Sequence, residues 1–225
     1  MRRSIVLHWL SRLLLPVCLA LPAASALAEQ ADEETDPGPE ARCSCLWQGS
    51  FSDVQAGADL VISGEVVARK GNSIDLEVAD ILRGTEYQNP VRIWLRARNY
   101  CRPDADDFPP GSEWVMALTR IEEVPPGGFD PATPNISYGR ERDYYLPDCG
   151  GYWLQLRGGR VTGNLVDAPR WDHQPKMTPV LLDLVAAFVA GEVGADALLE
   201  ASKADPALRE LMLDTRQFLR HGETP

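Results

Sequence analysis

The sequence predicts a mainly β domain, a small sandwich or barrel, carrying a C-terminal α-helical appendage. Three observations predict it. Apolar and polar residues alternate over several short runs between residues 58 and 165, the period of a half-buried strand. Turn residues such as Pro109-Pro110-Gly111 and Gly158-Gly159 separate the runs. Beyond Thr178-Pro179 the apolar spacing becomes helical.

Residues 1–28 have the pattern of a signal peptide. Arg2 and Arg3 precede an apolar stretch, and Ala26-Leu27-Ala28 places cleavage at Ala28-Glu29. The expected location is therefore periplasmic or secreted. No later stretch has the roughly 18 apolar residues of a membrane span. Residues 29–42, EQADEETDPGPEAR, contain six acids and no large apolar side chain. They cannot bury enough surface to offset ordering entropy, so a disordered acidic leader is expected. From residue 29 onward, 19 basic residues face 33 acidic ones. That balance opposes nucleic acid and anionic membranes as partners and leaves a basic partner open.

The strands follow. Ala58–Arg69 reads as a long first strand and turns at Gly71-Asn72. Ile74, Leu76 and Val78 alternate with polar residues in a second, which closes at Arg83-Gly84. Val91, Ile93 and Leu95 alternate with Arg92, Trp94 and Arg96 in a third. Trp114–Leu118 is a fourth, Tyr144–Leu146 a short fifth, and Trp153–Leu156 with Arg160–Leu165 a final hairpin. The segment 121–143 is rich in Pro and Gly and long enough to be functional or mobile. Residues 176–221 carry two helix starts, Thr178-Pro179 and Asp205-Pro206. Leu181, Leu184, Val185 and Phe188 share one helical face, and Leu208, Leu211, Met212, Phe218 and Leu219 share another. Such faces pack on the domain or dock a partner.

The chemistry-bearing residues are few. His173 and His221 are the only histidines beyond residue 28, and neither neighbours a nucleophile in sequence. No G-x-S-x-G, Walker loop or dinucleotide fingerprint occurs. Asp104-Ala105-Asp106-Asp107 lacks the ligand alternation of an EF-hand and reads as an exposed acidic loop. Neither cofactor nor metal is expected. Arg92, Trp94 and Arg96 should share the solvent face of the third strand. A basic and aromatic stripe of that kind binds polyanions or glycans, but Asp75, Glu77 and Asp80 on the second strand offer cross-strand partners.

Cys43, Cys45, Cys101 and Cys149 remain. An even number in an exported chain reads first as two disulfides, with three pairings open. Redox chemistry favours C-x-x-C beside basic groups, and zinc favours C-x₂₋₄-C knuckles. Cys43-Ser44-Cys45 fits neither pattern. Residues i and i+2 of an extended segment point the same way, so both cysteines can face the domain.

Over residues 43–166 the order of these features resembles a netrin-like (NTR) domain, the family that includes the N-terminal domains of tissue inhibitors of metalloproteinases (TIMP). The features are the opening Cys43-Ser44-Cys45, the strand phrase beginning Ala58-Asp59-Leu60-Val61, the strand end Leu82-Arg83-Gly84, Cys101 after the third strand, the Gly111–Val115 strand and Cys149-Gly150-Gly151. The resemblance implies a five-stranded OB-like Greek-key barrel and the pairings Cys43–Cys101 and Cys45–Cys149. It implies a binding module rather than an enzyme, with a protein partner, a protease or an envelope protein. A thiol–disulfide or hydrolytic enzyme is the alternative from another class. In the animal inhibitors the free amine and the carbonyl of the first cysteine chelate the protease zinc. Ser44 would then enter the specificity pocket, with Asn99 and Tyr100 flanking the ridge. Cleavage after Ala28 leaves 14 residues ahead of Cys43, so inhibition by that route requires a second cut after Arg42.

Overall fold

The computed structural model describes residues 45–97, 100–205 and 207. The elements run α1 (Phe51–Val54), a 3₁₀ turn (Gln55–Gly57), β1 (Leu60–Lys70), β2 (Ser73–Arg83), β3 (Val91–Trp94), a 3₁₀ turn (Ala105–Asp107), β4 (Glu113–Arg120), β5 (Tyr144–Tyr145), β6 (Trp153–Arg157), β7 (Arg160–Gly163), β8 (Val180–Leu181), α2 (Leu182–Val189) and α3 (Ala195–Ser202).

Five strands close on themselves. Their order is β1-β2-β3-β5-β4, and β4 pairs back onto β1. All pairs in the ring are antiparallel except β3 with β5, which is parallel. The closed barrel leaves no free edge among these five. Strand β1 makes closure possible because it pairs with β2 on one side and β4 on the other. Register shifts at Val61/Ile62, Ser63/Gly64 and Val66/Ala68 bend it as bulges do. Gly64 is required at one of them, since a Cβ there would stand 2.2 Å from the Glu77 carbonyl oxygen.

Strands β6, β7 and β8 extend the sheet outward from β4. The β6–β7 hairpin turns on Gly158 and Gly159, both at positive φ (53° and 70°), as a two-residue hairpin requires.

There are two cores. Leu60, Ile62, Ile74, Leu76, Ile93 and Met116 fill the barrel together with Phe108, Trp114 and Trp153. Val61, Val115, Ala117, Leu154 and Val161 face the other way and pack with Phe51, Val185, Val189 and Leu198 from the helices. Burial on both faces explains the unbroken apolar runs Leu60-Val61-Ile62 and Trp114-Val115-Met116-Ala117-Leu118, where simple alternation would leave one side polar.

The seven expected strands are present, and the structure adds to and adjusts them. β3 ends at Trp94. The first C-terminal helix begins at Leu182, not Pro179, because Val180 and Leu181 pair with β7. Thr178 is not its N-cap; its amide and hydroxyl instead donate to the Ser202 and Lys203 carbonyls at the end of α3. Helix α3 begins after Gly194, between the two helix starts read from the sequence. The expected helix through 208–219, the signal segment 1–28 and the leader 29–42 lie outside the described residues.

Candidate functional site: the disulfide-anchored N-terminal arm

The arm 45–49 has no regular structure of its own and is held entirely by cross-links. Cys45 is bonded to Cys149, with a Cα–Cα distance of 5.8 Å. The Gln48 amide donates to the Cys149 carbonyl (2.7 Å), and the Gly151 amide donates to the Gly49 carbonyl (2.9 Å). The Tyr152 hydroxyl bonds the Gln48 side chain. Trp47 Nε1–H donates to the Ala168 carbonyl at 2.6 Å. The Trp47 ring stands edge-on to Trp171 (6.1 Å between centroids), which meets Trp153 at 4.5 Å, and Trp153 meets Phe108 at 5.8 Å. An aromatic chain therefore runs from the arm into the barrel core. Directly after the arm, Ser50 and Asp53 form a capping box, and the Phe51 and Ser52 amides donate to the Asn164 and Leu165 carbonyls.

Between these anchors, Leu46 is 90% exposed. A large apolar side chain presented on a pinned backbone loses little further freedom on binding, which is what a pre-organised recognition element needs.

Cys101 approaches the same place. Its Sγ and those of Cys45 and Cys149 all lie within 4.8 Å of one another. Such spacing suits a metal when the sulfurs are thiolates. Here Cys45 and Cys149 are bonded to each other and Cys101 is also disulfide-bonded, so their lone pairs are not those of thiolate ligands. Cys43, Ser44 and Asn99 lie outside the described residues, so the pairing Cys43–Cys101 and the positions of Ser44 and Asn99 are not described. Beside Cys149, burial pushes the Asp148 carboxyl up, against the pull of Arg96 at 3.6 Å.

Tyr100 is described, and it belongs to a cage. Arg102 is 2% exposed, with its guanidinium carbon 4.3, 4.4 and 5.4 Å from the ring centres of Tyr138, Tyr145 and Tyr100. Its Nη1 donates to the Tyr138 carbonyl. Burial pulls the guanidinium below its ordinary value, and the ring oxygens oppose that shift. Cation–π contact with three rings offsets part of the desolvation. The cage ties the 100–102 segment to the 121–143 loop. No sequence pattern points to it: one arginine and three tyrosines scattered over 46 positions carry no period.

The third-strand stripe is not assembled as a face. Arg92 forms a two-pronged pair with Asp75, Nε to Oδ1 at 2.7 Å and Nη2 to Oδ2 at 3.0 Å, between residues directly opposite in the β2–β3 register. This is the cross-strand partnership expected of Asp75. Arg92 holds Asp75 below the ordinary carboxylate range, although burial raises it. Trp94 is 1% exposed rather than open to solvent. The 121–143 loop covers it, and its Nε1–H donates to Asp143 at 2.7 Å. Arg96 donates through Nε to the Arg102 carbonyl and is exposed.

The remaining titratable residues have local roles. Arg120 bonds the Tyr144 hydroxyl, which donates to Glu86 at 2.8 Å. Burial, then the Glu86 bond, pushes Tyr144 up to about 12, so it stays a donor. The 104–107 turn is exposed apart from Ala105, and Arg69 pairs with Asp106. His173 stands edge-on to Trp171 at 5.9 Å, and His221 lies outside the described residues. Among the described residues, no helix is long and apolar enough to cross a membrane.

No protein-family model, no curated protein and no solved structure matches this chain.

Proposed function

We propose that this chain is an exported, disulfide-stapled binding module of the OB/netrin-like kind, which engages a protein partner through the arm around Leu46 rather than catalysing a reaction. The exposure of Leu46 on a backbone fixed at Cys45, Trp47 and Gln48 is the observation that carries this reading. An apolar anchor on a backbone already fixed leaves little main-chain ordering for binding to offset. The OB-like assignment is supported by the ring order β1-β2-β3-β5-β4 and the parallel β3–β5 pair. The Cys45–Cys149 bond agrees with the pairing that the netrin-like resemblance implies.

Site-specific photo-crosslinking in the producing cell tests the reading. A photoreactive residue at position 46 should give a discrete protein adduct, and one at the exposed Arg157, the last residue of β6, should not. Adducts identical from both positions, or none from position 46, would remove the arm as the binding element.

Metalloprotease inhibition is the second reading. It is favoured by the closeness of the Cys101 sulfur to the Cys45–Cys149 bond, which brings the 100–101 segment beside the arm. A chain beginning at Cys43 should then inhibit zinc proteases while one beginning at Glu29 does not. Equal behaviour of the two chains would exclude zinc chelation by the cysteine amine.

A further inference from the structure

A cavity of about 360 Å³ lies between the loop that follows β7 and the C-terminal end of α3. It adjoins the arm only through Ala168, whose carbonyl accepts from Trp47, and Leu46 is not among its lining residues. Its volume falls within the range of small-molecule sites, which run from about 300 to 1,000 Å³.

The walls are built rather than incidental. Asn164 is buried, and its side chain closes the loop by bonding both backbone groups of Asp172: Nδ2–H donates to the Asp172 carbonyl (3.0 Å), and Oδ1 accepts from the Asp172 amide (3.1 Å). Residues 165–171 therefore arc outward between two ends latched together. The Trp47 bond to the Ala168 carbonyl braces the arc. On the opposite wall, Thr178 ties down the last carbonyls of α3. Asp167 in the arc holds a left-handed conformation, φ 52°, a strained geometry that persists where surrounding structure enforces it. The cavity is thus pre-formed, so little ordering is left for a ligand to impose.

Its chemistry is two-sided. Leu165, Met177 and Leu199 supply apolar lining. Arg170, Lys176 and Lys203 supply three cations against the two carboxylates of Asp167 and Asp172. Lys203 pairs with Glu200, whereas Arg170 and Lys176 have no ion pair among the described residues. The whole chain carries a formal net charge of −11 and so repels anions over most of its surface. With Lys203 matched by Glu200, Arg170 and Lys176 stand against Asp167 and Asp172, so the preference for an anion rests on two cations without ion pairs beside apolar lining, not on a net positive rim.

We propose that this cavity binds a small organic anion, a single carboxylate or sulfonate on an apolar body, with Arg170 and Lys176 holding the charge and Met177 and Leu199 receiving the body.

The test uses the full disulfide-bonded chain and the fluorescent sulfonate anilinonaphthalene sulfonate. The expected result is saturable one-to-one binding with a blue-shifted emission, displaced by octanoate but not by acetate. Arg170→Glu with Lys176→Glu should weaken binding at least tenfold. Arg69→Glu with Arg157→Glu, the same charge change at exposed positions elsewhere, should leave it within twofold. Ala204→Trp, which adds bulk at the cavity wall and keeps both cations, should abolish binding while the melting temperature is unchanged. Non-saturable binding, equal loss in the two double variants, or full binding by Ala204→Trp would each overturn the proposal. The first outcome means diffuse surface adsorption, the second a general charge effect, and the third a site elsewhere.

Discussion

Asn72 is the residue whose removal should cost the fold most for the fewest atoms. It sits in the β1–β2 turn and is buried. Its Nδ2 donates to the carbonyls of Leu95 (3.0 Å) and Ser137 (2.9 Å), and its Oδ1 accepts from the Ser137 amide (3.0 Å). One side chain thus substitutes for a strand, joining Leu95, just past β3, to the 121–143 loop, whose Ser137 lies 65 positions from Asn72. Asn72→Ala breaks three buried bonds and leaves three backbone groups without that partner. At about 1–1.5 kcal/mol net per bond the loss is roughly 3–4.5 kcal/mol, and more where the orphaned groups stay dry. For a domain of this size each kcal/mol lowers Tm by about 2–4 °C, so a fall of roughly 6–18 °C is expected by calorimetry. Limited proteolysis should cut first within 121–143, the segment released. Asn72→Asp retains the acceptor but aims a carboxylate at two carbonyls, so it should be at least as destabilising as the alanine. A fall below about 2 °C for Asn72→Ala, or an aspartate variant as stable as the parent, would refute the reasoning.

Three further outcomes follow from the same structure. Cys45→Ser with Cys149→Ser opens a loop of 104 positions and should remove up to about 4–5 kcal/mol on chain-entropy grounds; urea unfolding that shifts by less than about 1 kcal/mol would contradict this. Gly64→Ala drives a Cβ into the Glu77 carbonyl, 2.2 Å away, on a strand paired on both sides. It should cost about 2 kcal/mol or more, and an unchanged denaturation midpoint would mean the bulge yields freely. Asp75→Asn should cost about 1–3 kcal/mol at pH 7, with the difference from the parent vanishing in acid. Asp75 is held below the ordinary carboxylate value in the folded chain, so the folded state takes up its proton less readily than the unfolded one. The contribution is complete above the unfolded value, near pH 4, and fades as pH falls through the lowered folded value. A parent-to-variant gap that stays constant from pH 7 down to pH 2 would disprove the assignment.

The legibility of the chain differed by element. The β1–β2 and β6–β7 hairpins were visible because alternation and Gly-containing turns are local signals, written within about 25 positions or fewer. The Asp75–Arg92 pair was visible because register follows once the strands are placed. Trp94 was not. Alternation put it correctly on the face opposite Ile93, but period two cannot say whether that face meets water or a loop arriving from residues 121–143. The arm was legible as a cysteine-anchored segment. Leu46 was not distinguished as its exposed residue, because an isolated leucine in a loop gives no pattern. β8 was read as the first turn of a helix, since Leu181 fits the same helical face as Leu184, Val185 and Phe188. Two backbone pairings with β7 decided otherwise.

By itself, then, the sequence determined the strand segments, their turns and the β-then-helix order, all of which depend on neighbours close along the chain. The tertiary structure alone decided which strands close the ring and that β1 and β4 are covered on both faces. It also decided that Arg102 lies among three tyrosines, and that the loop after β7 frames an open cavity with α3. Each of these joins residues with no shared period, brought together only when the barrel shuts and its outer face acquires a second core. Burial, charge pairing and cavity shape are properties of those long-range meetings, so they become readable only after folding has made them.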